Sequence, residues 1–342
     1  MKDTTDTMAR FRHTFLAAVA ASALLLTACS DATGTTAGTD ADVSTAASES
    51  TITVEDNFGT QEITLPVERI ASTDNRTFEV LDAWGVDLVA APKRLVPFTV
   101  EGYKTNDEII DLGTHREPDL EALTAAQPDL IINGQRFAQH YDAVKKLNPQ
   151  AVVVEFEPRK GEPLDAELKR QVEELGKVFG KESEAEQLIA DFDEALERAK
   201  AAYDPQQKVM AVNVSGGTIG YIAPKVGRTY GPVFELLGLT PALEVANASD
   251  DHQGDDISVE AIASANPDWI LVLDRDGATD TRNTDEYVAA AQVIEGSDPL
   301  KNVTAIREGQ VVYAPADTYT NESIITYTEI LNGLADAFEA AR

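Results

Sequence analysis

One cysteine in 342 residues, Cys29, leaves no partner for an intramolecular disulfide. Histidine is nearly as scarce. Beyond the first 28 residues only His115, His140 and His252 occur, too scattered for a His-x-x-x-His metal helix. There is no Gly-x-Ser-x-Gly elbow and no P-loop, which removes two common arrangements for nucleophilic attack and phosphate binding. The apolar run at residues 15–26, FLAAVAASALLL, is only 12 residues long and cannot span a bilayer as a helix. Positive charge is the last deficit. The chain has 28 Lys+Arg against 59 Asp+Glu, a net charge of −31. A surface this acidic speaks against nucleic acid or anionic lipid as partner.

The N-terminus has a pattern of its own. Arg10 and Arg12 precede the apolar run, which ends in Leu26-Thr27-Ala28-Cys29. Cationic flank, short apolar core and small residues are the signature of a secretory signal, here residues 1–28. The last four residues resemble the bacterial lipoprotein processing box, which implies cleavage before Cys29 and a lipid on its thiol. The signal removes three cations and two acids, leaving 25 against 57 and a net charge of −32. Residues 29–50 are Ala, Thr, Ser, Gly and Asp with little to bury, and are expected to be a disordered tether.

Residues 118–136, PDLEALTAAQPDLIINGQR, recur as residues 257–275, ISVEAIASANPDWILVLDR. At an offset of 139, Glu121 meets Glu260, Pro128 meets Pro267 and Asp129 meets Asp268, and an arginine follows each Asp by seven residues. Each copy reads as a short amphipathic helix stopped at a proline, then an apolar run suited to a buried parallel strand. Arg136 and Arg275 arrive where those strands end, and ligands of open α/β sheets sit beyond the carboxyl ends of the strands. The repeat therefore implies two similar α/β lobes, each offering one arginine from an equivalent strand end; if the lobes face each other, both cations point into one ligand cleft between them.

The domain plan follows. Residues 51–163 form the N-terminal lobe, opening with a hairpin around Asn57-Phe58-Gly59. Residues 164–205 hold the linking helices. Within them Ser183 and Glu186 match a capping box, and Ala185, Leu188, Ile189, Phe192, Leu196 and Ala199 keep helical spacing. The inter-lobe helix should run about 20 residues, or roughly 30 Å, a strut that limits lobe movement. Residues 206–342 form the C-terminal lobe.

Of 13 arginines after the signal, seven (Arg76, Arg94, Arg116, Arg136, Arg228, Arg275, Arg282) fall in predicted strand-end loops. Guanidinium forks suit carboxylate, phosphate or phenolate oxygens. An anionic small molecule is the natural ligand for such a cluster. Tyr319 and His252 are the other pair of interest, because phenolate and imidazole both ligate ferric iron.

The lipobox, the paired Pro-Asp strands, the strut helix and the segments APKVGRTYGPVFELLG and NPDWILVLDR together resemble the substrate-binding lipoproteins of ferric-siderophore ABC importers, a long-helix, class III periplasmic-binding-protein family. The resemblance covers nearly all of residues 51–342 and is closest to the catecholate branch. It implies no intrinsic cofactor, no catalysed reaction and a ferric siderophore as cargo. It also implies a monomer lipid-anchored through Cys29 at the extracytoplasmic face of the cell membrane. Three arginines hold the cargo's oxygens in that branch. Arg136 and Arg275 fall on two of those positions, and Arg228 falls one residue beside the third; Arg94 and Arg116 are further candidates. Tyr319 falls on a tyrosine, and His252 near a histidine, that complete iron coordination. Docking to the permease is through an acid on each lobe, matched by Glu79 (with Asp82 as a fallback) and Glu235.

Rival readings remain open at this level. Haem, a hydroxamate siderophore or a corrinoid would use the same scaffold, although a hydroxamate complex carries little charge for the arginines to meet. A lipid-tethered cell-wall enzyme or adhesin is the other class.

Overall fold

The computed structural model describes residues 50–342. The signal (1–28), the Cys29 lipidation site and all but the last residue of the expected tether (29–50) lie outside the described residues.

Strands β1 (Ser50–Asp56) and β2 (Gly59–Leu65) pair antiparallel. Their turn is tacked onto the first lobe by the Asn57 amide, which donates to the Glu155 carbonyl at 2.9 Å. Then come β3 (Ile70–Ser72), β4 (Leu88–Ala91), β5 (Ile110–Asp111), a two-residue-turn hairpin of β6 (Gly113–Thr114) and β7 (Glu117–Pro118), β8 (Leu130–Asn133) and β9 (Val152–Glu155). The main sheet runs β5-β4-β3-β8-β9, all parallel. Every residue of β8 is buried, as an apolar run between two helix layers requires. Strand order reverses between β3 and β8, so the crevice at their carboxyl ends is the switch point where such sheets hold ligands.

The second lobe repeats this plan with β10 (Lys208–Ser215), β11 (Thr218–Ile222), β12 (Thr240–Pro241), β13 (Trp269–Asp274) and β14 (Val311–Tyr313), ordered β11-β10-β13-β14 with β12 also on β10. Only β11 is antiparallel, folded back by Gly216 and Gly217, whose φ of +57° and +72° give the turn its hairpin twist. Its switch point lies between β10 and β13.

The repeat has a physical cause in both lobes. Helix Leu120–Ala125 starts with the Asp119 side chain accepting from the Ala122 amide, and helix Val259–Ala265 with Ser258 accepting from Ala261. Gln127 and Asn266 then take left-handed backbone (φ 48° and 45°), so both helices stop before the prolines. The aspartate of each Pro-Asp pair reaches across to the head of the neighbouring central strand. Asp129 accepts from the Glu68 and Arg69 amides, and Asp268 from the Lys208 amide. A carboxylate clamp at one end of β8 and β13 sets their register, and register determines where the arginines at the other end emerge.

Two helices join the lobes, Leu164–Phe179 and the 21-residue Glu182–Ala202, and no strand is shared between the sheets. The expected capping box does not form. Gly180 closes the first helix in the left-handed region, and the chain re-enters helix at once. The cap position therefore falls on Lys181, and Ser183 sits inside the first turn. Leu175 and Val178 of the first helix enter the N-terminal core, while Leu168 and Val172 join the C-terminal one with Phe192, Ala195 and Ala199 of the second. The linking pair thus belongs to both cores.

Candidate functional site

The two switch points face a cavity of about 600 Å³. Its floor is Tyr319, 2% exposed, in the loop before the C-terminal helix Ile324–Ala340. Three guanidiniums surround that ring. The Cζ atoms of Arg136, Arg228 and Arg275 lie 5.1, 4.5 and 5.2 Å from its centroid, within cation–π range. Arg136 follows β8 and Arg275 follows β13, so the duplicated strand ends deliver one cation each.

The three are not equally engaged. Arg275 Nη1 donates to Asp276 at 2.8 Å and to Ser215 at 3.1 Å, while its Nε is buried and unpartnered. Arg228 is committed to Glu322: Nη2 donates to Oε2 at 2.8 Å, and Arg76 approaches the same oxygen at 3.5 Å. Glu322 is 1% exposed and also accepts from Thr229 at 2.6 Å. Arg136 forms no ion pair among the described residues, and its Nε and Nη2 are buried without a partner. Burial, and then the charge of Arg228, lower its pKa. Such donors are costly unless something accepts from them. Burial alone would raise the pKa of the Tyr319 hydroxyl. The nearby charges of Arg228 and Arg136 hold it below the ordinary phenol value instead.

The other candidates divide. Arg94, Arg116 and His252 line the cavity and are exposed. Arg94 meets Asp280 of the opposite lobe at 3.5 Å, and His252 Nδ1 lies 3.6 Å from Asp251. Arg228 sits behind Tyr319 and does not line the cavity. Arg282 is stacked on Phe98 across the lobes, 3.4 Å from the ring centroid. Glu79, expected as the docking acid of the N-terminal lobe, is not free. It is half-buried because its helix, Phe78–Ala83, abuts the start of the C-terminal helix, where its carboxylate accepts from Asn321 at 3.0 Å and from Ser323. Asp82, one turn on, is exposed, as is Glu235, which lies 3.7 Å from Lys225. Sequence reasoning missed Glu322 and His115, a second cavity-lining histidine.

Among the described residues no group of three or more His, Cys, Asp and Glu side chains is placed to hold a metal ion. None of their helices is long and apolar enough to cross a membrane. The arrangement suits an anion brought in from solution.

The sequence profile of the periplasmic binding protein family matches residues 70–318. The chain belongs to this family. FatB of Vibrio anguillarum, a ferric-anguibactin-binding protein, is 27% identical over 296 residues, 85% of this chain and 89% of FatB. The structure of the siderophore-binding protein BauB, bound to two molecules of acinetobactin and ferric iron, superposes with a TM-score of 0.72 at 27% identity, covering 84% of this chain and 99% of BauB. VctP of Vibrio cholerae, a periplasmic catecholate-siderophore binding protein, gives 0.70 at 25% identity, with 83% and 99% covered.

Beneath the first switch point this periplasmic binding protein buries several acids. Asp74, fully buried, accepts from the Arg76 amide at 3.0 Å and from Gln171 at 3.1 Å. Glu155 accepts from Asn133 at 2.8 Å. Burial, with Glu157 close to each, pushes both carboxyls up to about 7. The native state therefore holds protons that the unfolded chain gives up near pH 4. Their stabilisation is complete below that pH and is lost as pH rises through 7. Glu167 acts oppositely. Burial would raise it, but hydrogen bonds from Arg159 and Arg170 bring it to about 2, so its contribution is lost as pH falls from about 4.5 towards 2. Urea midpoints should be higher at pH 5 than at pH 8, and Asp74→Asn should shrink the difference. A midpoint flat or rising between those pH values would contradict this account.

Proposed function

We propose that this chain is the receptor of an iron importer, capturing an anionic ferric siderophore of catecholate type and handing it to an ABC permease from a lipid anchor at Cys29. The observation that carries the reading is the meeting of Arg136 and Arg275 over Tyr319, one from each lobe, with buried donors still unpartnered. Catecholate oxygens bound to iron remain anionic and accept charge-assisted hydrogen bonds, each worth about 1.5–3 kcal/mol. Tyr319, with its lowered pKa, is suited to approach ferric iron as phenolate, and His252 at the mouth is the second candidate for an open iron position. Arg228 acts from behind the ring, and Arg94 and Arg116 act at the rim. Support also comes from the relatives, whose names describe ferric-anguibactin and catecholate-siderophore binding.

In this reading the chain works as a monomer, carries no resident cofactor and catalyses no reaction. Linking helices shared by both cores favour a small closure on binding. The exposed Asp82 and Glu235 are better placed than Glu79 to meet a permease.

The test is titration calorimetry with a ferric bis-catecholate, ferrioxamine and haem in parallel. Heat is the preferred signal because neither Trp84 nor Trp269 lines the cavity. The catecholate should bind at least a hundredfold tighter than the other two. Equal or tighter binding of ferrioxamine would remove the catecholate assignment, and a Soret band on titrated haem at comparable affinity would replace it.

A further inference from the structure

His115 stands in the two-residue turn between β6 and β7, on the N-terminal wall of the cavity. The hairpin cannot drift. Gly113 at its base has φ +70°, and a Cβ there would lie 2.6 Å from the Glu117 carbonyl, so only glycine closes this turn. The His115 carbonyl accepts from His140 Nε2 at 2.8 Å and from Gln139 Nε2 at 3.3 Å. Both donors belong to the segment Gln135–His140 that carries Arg136. The imidazole and the unpaired guanidinium are therefore held on one rigid support.

The two ring nitrogens differ. Nδ1 is buried and has no hydrogen-bond partner. Burial, then the charges of Arg136 and Arg116, keep the pKa below the ordinary histidine value, so the ring is neutral at pH 7. A neutral ring carries one proton. On Nδ1 that proton would be a buried, unsatisfied donor, so it belongs on Nε2, the other nitrogen of a ring that lines the cavity. The neighbouring cations also favour a bare lone pair over a further positive dipole.

We propose that His115 is a cargo-binding residue whose Nε2–H donates to the anionic ligand oxygen held by Arg136. The assignment rests on the siderophore reading above and adds to it. A neutral donor close to the charges of Arg116 and Arg136 tightens the grip on one oxygen without adding a third like charge. It also makes the N-terminal wall selective for cargo that offers an acceptor there.

The test compares His115→Ala and His115→Gln with the wild type, using a gallium bis-catecholate as a diamagnetic stand-in for the ferric complex. The alanine variant should lose about tenfold in affinity, the size of one hydrogen bond to a charged acceptor. Glutamine, which keeps a neutral N–H donor, should recover most of it. Nitrogen NMR of the wild type should show the His115 Nε2 signal shifting on binding while Nδ1 stays unprotonated. Wild-type affinity in the alanine variant, or an unmoved Nε2 signal, would overturn the assignment and leave the siderophore reading standing. Failure of the wild type to bind any catecholate complex would overturn both.

Discussion

Replacing Arg136 and Arg275 together by alanine should lower the affinity for a ferric catecholate about a hundredfold or more while the protein stays folded. Two charge-assisted hydrogen bonds at about 1.5–3 kcal/mol each give that range, since about 1.4 kcal/mol is tenfold. The free protein should not suffer in proportion. Among the described residues Arg136 has no ion-pair partner, and its buried donors lie within the field of Arg228. Removing it relieves a repulsion, so Arg136→Ala alone should unfold at an equal or higher urea concentration than wild type. Arg275 gives up its pair with Asp276, whose side chain is still served by the Gly216 amide. Binding lost while stability is kept or gained is the mark of a group placed for a ligand rather than for the fold. Affinity within threefold of wild type in the double variant would end the site assignment. Arg136→Lys is the informative control, because an ammonium keeps the charge but not the fork.

Much of this site was legible because the chain states it twice. A duplicated helix-Pro-Asp-strand unit with an arginine at a fixed distance is a local pattern, and local patterns survive into three dimensions when register is clamped. Here Asp129 and Asp268 supply the clamp. What was not legible depends on contacts far apart in sequence. Arg228 falls one residue beside the third position that the family resemblance implies, so its aim was not legible. Its aim is set by left-handed backbone at Lys225 and Thr229, neither of them glycine, and by Glu322, 94 residues on. Glu322 itself looks like an ordinary acid ahead of a helix, and only the packing of Thr229, Arg76 and Arg228 around it makes it a buried counter-ion. Glu79 shows the same limit from the other side. Helical spacing places it on a lobe-capping helix, but nothing local says that the start of the C-terminal helix lies against that face. The absent capping box follows from the left-handed Gly180, which leaves one residue between two helices and so fixes the cap by geometry rather than by side-chain preference.

Glu322 is where the largest loss of stability is expected. It joins Arg76 from the first lobe to Arg228 from the second, and Gln135 Nε2 approaches the same carboxylate at 3.4 Å. Burial would raise its pKa, but Arg228 and Arg76 hold it below the usual carboxylate range, so it is charged at neutral pH. Glu322→Gln keeps the shape and removes the charge, leaving the half-buried Arg228 without its ion-pair partner and Arg76 with Asp74 and Glu157 as its nearby acids. Removing one member of a buried ion pair costs about 3–5 kcal/mol, and the urea midpoint should fall accordingly. Two further measurements separate this from a simple packing defect. First, an anionic cargo replaces part of the missing charge, so the rise in melting temperature at saturating ferric catecholate should be larger in the variant than in wild type. Second, Arg228→Met added to Glu322→Gln should restore stability, because the uncompensated cation is removed with its partner. A variant within about 1 kcal/mol of wild type, set against the 3–5 kcal/mol expected of a broken buried pair, would mean that water and the neighbouring acids rather than Glu322 neutralise the two guanidiniums. A double variant less stable than Glu322→Gln would place the loss in packing instead. Either result would detach the lobe junction from the electrostatics of the cargo seat.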